Sequence, residues 1–379
     1  MADDDSERRV SERGVSERGA SERGDSERGT EELQSAPADT GFASQSRPGL
    51  PPRWVAGGRT LSKLDGLGLA ARLARLAVVV VLLVGAVVVA AVTVSGVGPP
   101  SQDDLRRQAG LFDKRQLLIG VKDDQPGMSL LDNGVYRGFD VEIAYLVAAS
   151  LGFAPDDVRL LTIESEDRAR RQALDVKTKK IVTVDLVVAT FSITPAREAD
   201  PDVSFSAPYL RTEQSVLTRK TSARYEALSD LADRKVCTLN TTTSKQNLEA
   251  AGVLPFGKNK ISECVRGLES GAYDAVSTDA AILAGFVFEN PGKFTIHDIG
   301  SEGSELYGIN VGTNEALKTL VDLALYRSYT EPTDRRWETA YDTYLRREQP
   351  SAMPQQVAVA KQPDVEKPRV RIWPWEDEQ

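Results

Sequence analysis

The stretch Ser192-Ile193-Thr194-Pro195-Ala196-Arg197 sets a capping hydroxyl, a proline and a guanidinium close together in the chain. Thr194 and Pro195 suit the N-cap and first position of a helix, which would begin there with its free amides pointing outward. Helix N-termini attract anions, and Arg197, one turn in, adds a fork of donors matched to a carboxylate. Taken alone, Arg197 also reads as a surface arginine paired with Glu198 or Asp200. Asp279 opens a helix after an apolar strand, where its carboxylate would make an N-cap. Cys237 to Thr243 leads from a strand into a helix at Ser244, so its amides and the hydroxyls of Thr242 and Thr243 form a second candidate anion site. Lys122 at a strand end and Arg168 at a helix start add two cations.

Composition narrows the chemistry. The single histidine, His297, removes most support for histidine-rich zinc sites and histidine-dependent triads, and no catalytic, metal or cofactor site is expected. A formal net charge of -9 argues against nucleic acid as a partner. Cys237 and Cys264 both follow a long apolar run, in a compartment that permits a disulfide, and a bridge is favoured over two buried free thiols.

The elements that must position these residues alternate. Gln116–Val121, Val158–Ile163 and Asp185–Ala189 are strand-like around a helix at Asp140–Leu151, with Asp140 as its expected N-cap and Gly152 as its stop. A second set follows: strand Lys235–Leu239, helix Ser262–Ser270 stopped by Gly271, strand Ala275–Ser277 and helix Asp279–Asn290. Leu306–Val311 is again strand-like, Asn314 caps a helix to about Thr330, and Pro332 starts another carrying Trp337. Two α/β units in tandem suggest two lobes with largely parallel pairing.

Ahead of these lies Leu76–Val97, an uncharged run about 33 Å long as a helix, which matches a bilayer's hydrocarbon core. Some 75 residues precede it, too many for a cleaved signal peptide, so it reads as an uncleaved anchor over 72–98. Arg59, Lys63, Arg72 and Arg75 before it and Asp103 and Asp104 after it place the N-terminus in the cytoplasm and the rest outside the cell. Residues 1–58, with Ser-Glu-Arg-Gly recurring, have no apolar face and are expected to be a disordered cytoplasmic tail. Residues 99–114 read as a tether, and 350–379 as a disordered C-terminal tail.

The run Gly138-Phe139-Asp140-Val141-Glu142-Ile143 resembles the signature of the family 3 extracellular solute-binding proteins. Ser192 to Arg197 followed by Phe205-Ser206-Ala207-Pro208-Tyr209, and Asp274 to Asp279, are similar to its other motifs. The resemblance covers about 115–345, and Gly120-Val121-Lys122, Asp124-Gln125-Pro126-Gly127 and Val236-Cys237-Thr238 look most like the actinobacterial glutamate/glutamine-binding branch.

This resemblance implies a two-lobe α/β fold of the type II periplasmic-binding-protein kind with hinge strands. Lobe 1 would be 115–210 and 307–345, and lobe 2 would be 218–300. It assigns a free amino acid's α-carboxylate to Arg197, helped by Ser192, Thr194 and Thr190, and its α-ammonium to Asp279. Thr242 and Thr243 would add contacts from the second lobe, where Thr241 stands in place of the family's usual glycine. Lys122, Asp123 and Arg168 would meet the ligand's side chain, the two cations favouring glutamate or aspartate and Asp123 favouring glutamine. The implied role is delivery to an ABC-type importer. The alternative is a sensor signalling through the membrane to a partner such as a kinase. A third reading is a dehydratase on the same fold, which would need a buried acid or base aimed at its substrate.

Overall fold

The computed structural model describes residues 64–94, 98–300, 304–349 and 356–371, so the expected disordered tail at 1–58 lies outside the described residues. Leu64–Val94 is one helix, in which Gly68–Ala91 is long and apolar enough to cross a membrane and is not buried. It starts earlier than the expected span, and Leu69, Ala70 and Ala71, strong helix formers, carry it without a break into the apolar run.

The expected tether is folded from Ser101 onward. Ser101 and Asp104 form a reciprocal capping box that starts the helix Gln102–Gln108. Leu105 buries that helix against Glu315–Thr330, whose expected cap Asn314 accepts from Leu317 N at 3.0 Å and donates to Ala109 O at 3.2 Å.

The first lobe is built on a five-stranded sheet in the order Lys180–Thr183, Gln172–Asp175, Val158–Ile163, Leu117–Val121, Leu186–Val187. The last three strands are parallel, and the first two form an antiparallel hairpin. No α-helix opens at Arg168. A short 3-10 turn at Ser165–Asp167 leads into the hairpin, whose Ile181, Val182 and Thr183 are β-branched and favour strand.

Helix Phe139–Ser150 packs on this sheet. Gly138, not Asp140, holds its N-cap position, at φ +136, where an added Cβ would lie 2.3 Å from Met128 O. Asp140 falls inside the helix and is fully buried. The helix expected from Pro332 begins at Arg336, and it buries Trp337 edge-on to Phe139, with Nε1 donating to Tyr209 O at 2.8 Å.

The second lobe is a sheet in the order Phe256–Lys258, Val236–Leu239, Ala275–Asp279, Leu210–Arg219, Phe294–His297. Cys237 and Cys264 are bridged, tying Val236–Leu239 to helix Ile261–Ser270, which Gly271 ends in the left-handed conformation. Ser304–Tyr307 runs antiparallel to Leu210–Arg219, with Tyr307 opposite Leu210, and these two strands join the lobes.

Residues 356–371, expected as disordered tail, are instead a packed strap. Val357 and Ala358 are buried; Thr212 Oγ1 donates to Val357 O at 2.7 Å, and Val359 N to Arg211 O at 2.9 Å. The strap ends where Arg371 N donates to Pro100 O at 2.9 Å. The segment is polar on average, but its Val-Ala-Val core has apolar surface to bury against the joining strand.

Candidate ligand-binding site

Between the lobes lies a cavity of about 240 Å³, counting space open to solvent. Only about 10 Å³ of it is clear of the surrounding side chains, roughly the space of one water molecule, so the two lobes are closed on each other here. Arg168, Thr190, Ser192 and Arg197 line it from the first lobe; Thr242, Thr243, Ser244 and Asp279 line it from the second.

Arg197 is aimed by its own motif. Thr194 caps the short helix Pro195–Glu198 by accepting from Arg197 N at 3.3 Å, as expected, but Thr194 itself does not line the cavity. The guanidinium donates to Ser192 O at 2.7 Å and, across the cleft, to Thr241 O at 3.2 Å. It is not paired with Glu198 or Asp200 among the described residues. Thr241 accepts this bond from a left-handed backbone, φ +53, which a β-branched residue adopts only under strain.

Arg168 is the second guanidinium. It is buried, and it donates to Ser165 O, Ala189 O and Thr190 O at 2.8 to 3.1 Å. Its Nη2 is buried without a hydrogen-bond partner among the described residues. Burial first, then the charge of Arg197, lowers its pKa to about 9. The Phe191 ring lies against both guanidinium carbons, 4.6 Å from that of Arg168 and 4.7 Å from that of Arg197. Asp140, displaced from the cap, holds this region: it accepts from Thr190 N and from Tyr209 OH, each at 2.9 Å. Thr190 is thereby kept at φ +45.

Asp279 supplies the opposite charge. It occupies the N-cap position of Ala280–Glu289 but makes no side-chain capping bond. Tyr307 OH donates to its Oδ2 and Ser244 Oγ to its Oδ1 at 3.3 Å. Burial, then the charge of Glu305, raises its pKa to about 7.

Lys122 and Asp123 do not line the cavity. Lys122 is fully buried, 3.4 Å from Ser165 Oγ and 3.6 Å from a Glu164 oxygen. Burial lowers its pKa. Asp123 Oδ2 takes the Lys260 ammonium at 2.5 Å. Both charges are matched by protein groups because an ion drawn from water needs a partner. Ser244, Phe191, Tyr307 and Lys260 were not anticipated. Phe191, inside the Thr190–Ser192 stretch, is the one a close local reading could have found.

A cluster of two guanidiniums facing a carboxylate can hold a zwitterion with a surplus of negative charge. The family model for bacterial extracellular solute-binding proteins, family 3, matches residues 117–347. Glutamate-binding protein GluB of Corynebacterium efficiens is 31% identical over 267 residues, 67% of this chain and 87% of that protein. The glutamine-binding protein GlnH of Bacillus subtilis is 31% identical over 193 residues, 48% of this chain and 65% of its own. Among solved structures, the receptor for L-cysteine of Neisseria gonorrhoeae has a TM-score of 0.55 at 27% identity, covering 63% of this chain and 93% of its own. An ancestral arginine-binding protein bound to glutamine has a TM-score of 0.53 at 28% identity, covering 61% and 97%.

Proposed function

Because the chain belongs to the bacterial extracellular solute-binding proteins, family 3, on the branch of the actinobacterial glutamate-binding proteins, we propose that it is a membrane-anchored receptor for an acidic amino acid. Glutamate or aspartate ranks first and glutamine next, and the ligand passes to an ABC-type importer. Family members bind solutes and are not enzymes, which removes the dehydratase reading.

The observation that carries the ligand class is Arg168 Nη2, a buried donor without a hydrogen-bond partner among the described residues, at the same cavity as Arg197. Arg197 takes the α-carboxylate, Asp279 the α-ammonium, and Arg168 the side-chain carboxylate, with Ser192, Thr190, Thr242 and Thr243 completing the walls. In this reading helix Leu64–Val94 serves as the anchor, and the basic residues before its apolar part support a cytoplasmic N-terminus.

Calorimetric titration of the full-length chain in detergent tests this reading. Glutamate should bind, and Arg197→Ala should weaken binding by about 2–5 kcal/mol, the cost of stranding one side of a buried charge pair. Unchanged affinity would cancel the clamp. Protease added to intact cells should remove the domain beyond residue 98 and spare the N-terminal repeats.

The sensor reading is supported by one feature. The strap joins the lobe-connecting strand at Arg211 and Thr212 to Pro100, close in sequence to the apolar helix. Hinge closure around ligand would be felt there.

A further inference from the structure

Lys260, on the second lobe, precedes helix Ile261–Ser270, and its ammonium reaches two first-lobe carboxylates. It lies 2.5 Å from Asp123 Oδ2 and 3.7 Å from Glu164 Oε1. Its neighbours make the same crossing: Ser262 N donates to Asp124 Oδ2 at 3.1 Å, and Asn259 Nδ2 to Glu166 Oε1 at 3.0 Å. The first lobe thus brings Asp123, Asp124, Glu164 and Glu166 to this contact, against its own Lys122 and Arg168.

The network abuts the cavity. Lys260 and Lys122 share Glu164, Lys122 contacts Ser165 Oγ, and Arg168, which lines the cavity, donates through Nε to Ser165 O at 3.1 Å. A ligand with a second carboxylate therefore approaches a first-lobe rim whose carboxylates outnumber its cations. In a partly desolvated cleft that excess repels the ligand over several ångströms. Lys260 can cancel it only when the lobes are together, because it belongs to the other lobe.

We propose that Lys260 is a specificity-determining residue: on closure it neutralises Asp123 and Glu164, and so allows the cleft to shut over an amino acid with a negatively charged side chain. This rests on the acidic-ligand reading above. Burial works against the Lys260 charge, but the hydrogen bond to Asp123 and the charges of Asp123, Glu164 and Asp124 outweigh it and raise its pKa.

The test is calorimetric titration of the full-length chain in detergent with glutamate and with glutamine, for wild type, Lys260→Gln, Asp123→Asn and the double variant. Lys260→Gln should lose about tenfold or more in glutamate affinity and clearly less for glutamine, in keeping with measured charge-pair couplings. Asp123→Asn alone should strengthen glutamate binding, and added to Lys260→Gln it should restore most of the loss. Equal losses for both ligands, or a double variant no better than Lys260→Gln, overturn the inference and leave Lys260 as a plain latch between lobes. A wild type that binds neither amino acid overturns the receptor reading itself, and this inference with it, before any variant is compared. Thermal melting without ligand establishes that each variant folds.

Discussion

Tyr307 donates its hydroxyl to Asp279 Oδ2, from a strand that joins the lobes to the carboxylate at the end of a second-lobe strand. With Ser244 on Oδ1, the bond turns the carboxylate away from the helix it begins and into the cavity. Both partners are neutral, so the negative charge is left for something else to match.

Ligand affinity should therefore depend on pH through Asp279. Its pKa is raised to about 7 by burial and by Glu305, so in the free protein the carboxylate takes up a proton as pH falls through that value. The α-ammonium of a ligand needs the ionised form. Affinity should be full above about pH 7 and drop by up to about tenfold per pH unit below it. Glu305→Gln, by removing a like charge, should move the midpoint lower. Calorimetry between pH 5 and 8 is the measurement, and a flat profile in wild type would contradict the role given to Asp279.

Arg168→Gln should weaken glutamate binding by about 2–5 kcal/mol and glutamine binding by less, since it removes a charge assigned to the ligand's side chain. The same variant loses donors to Ser165, Ala189 and Thr190 carbonyls, so its melting temperature should also fall. A lower melting temperature with an unchanged ratio of glutamate to glutamine affinity would make Arg168 a scaffold residue only.

The Cys237–Cys264 bridge joins residues 27 apart in the chain. Closing a loop of that length stabilises the fold by about 3–4 kcal/mol in the chain-entropy model. Denaturant unfolding of the Cys237→Ala, Cys264→Ala double variant should show a loss of that order. No loss would mean that the unfolded chain gains little from being freed.

Truncation after residue 349 should destabilise the first lobe, although the removed segment looks like a tail in sequence. It would uncover the site of Val357 and Ala358 and take away the acceptors of Tyr341 OH and Thr212 Oγ1. A drop of several degrees in melting temperature is expected. An unchanged melt would mean that the strap contributes nothing.

Much of the site was readable from the chain because its signals are local. Thr194 and Pro195 start a helix, Asn314 caps one and Gly271 stops one through contacts within about four residues, which sequence alone determines. The alternation of strands and helices likewise led to two α/β lobes, and the motif around Arg197 placed it at the cavity. What only the tertiary structure decided is which charges face the ligand and which face each other. Asp140 and Asp279 both stand near helix starts, yet Tyr209 and Thr190 draw one inward and Tyr307 turns the other to the cleft. Lys122 looked as good a ligand contact as Arg168, but a buried ammonium takes the carboxylate the fold puts beside it, and that was Glu164. Asp123 was claimed by Lys260 from the other lobe, and the strap by a joining strand far earlier in the chain. Those pairings depend on where distant backbone segments are brought together, and the cost of burying an unmatched charge then selects among them.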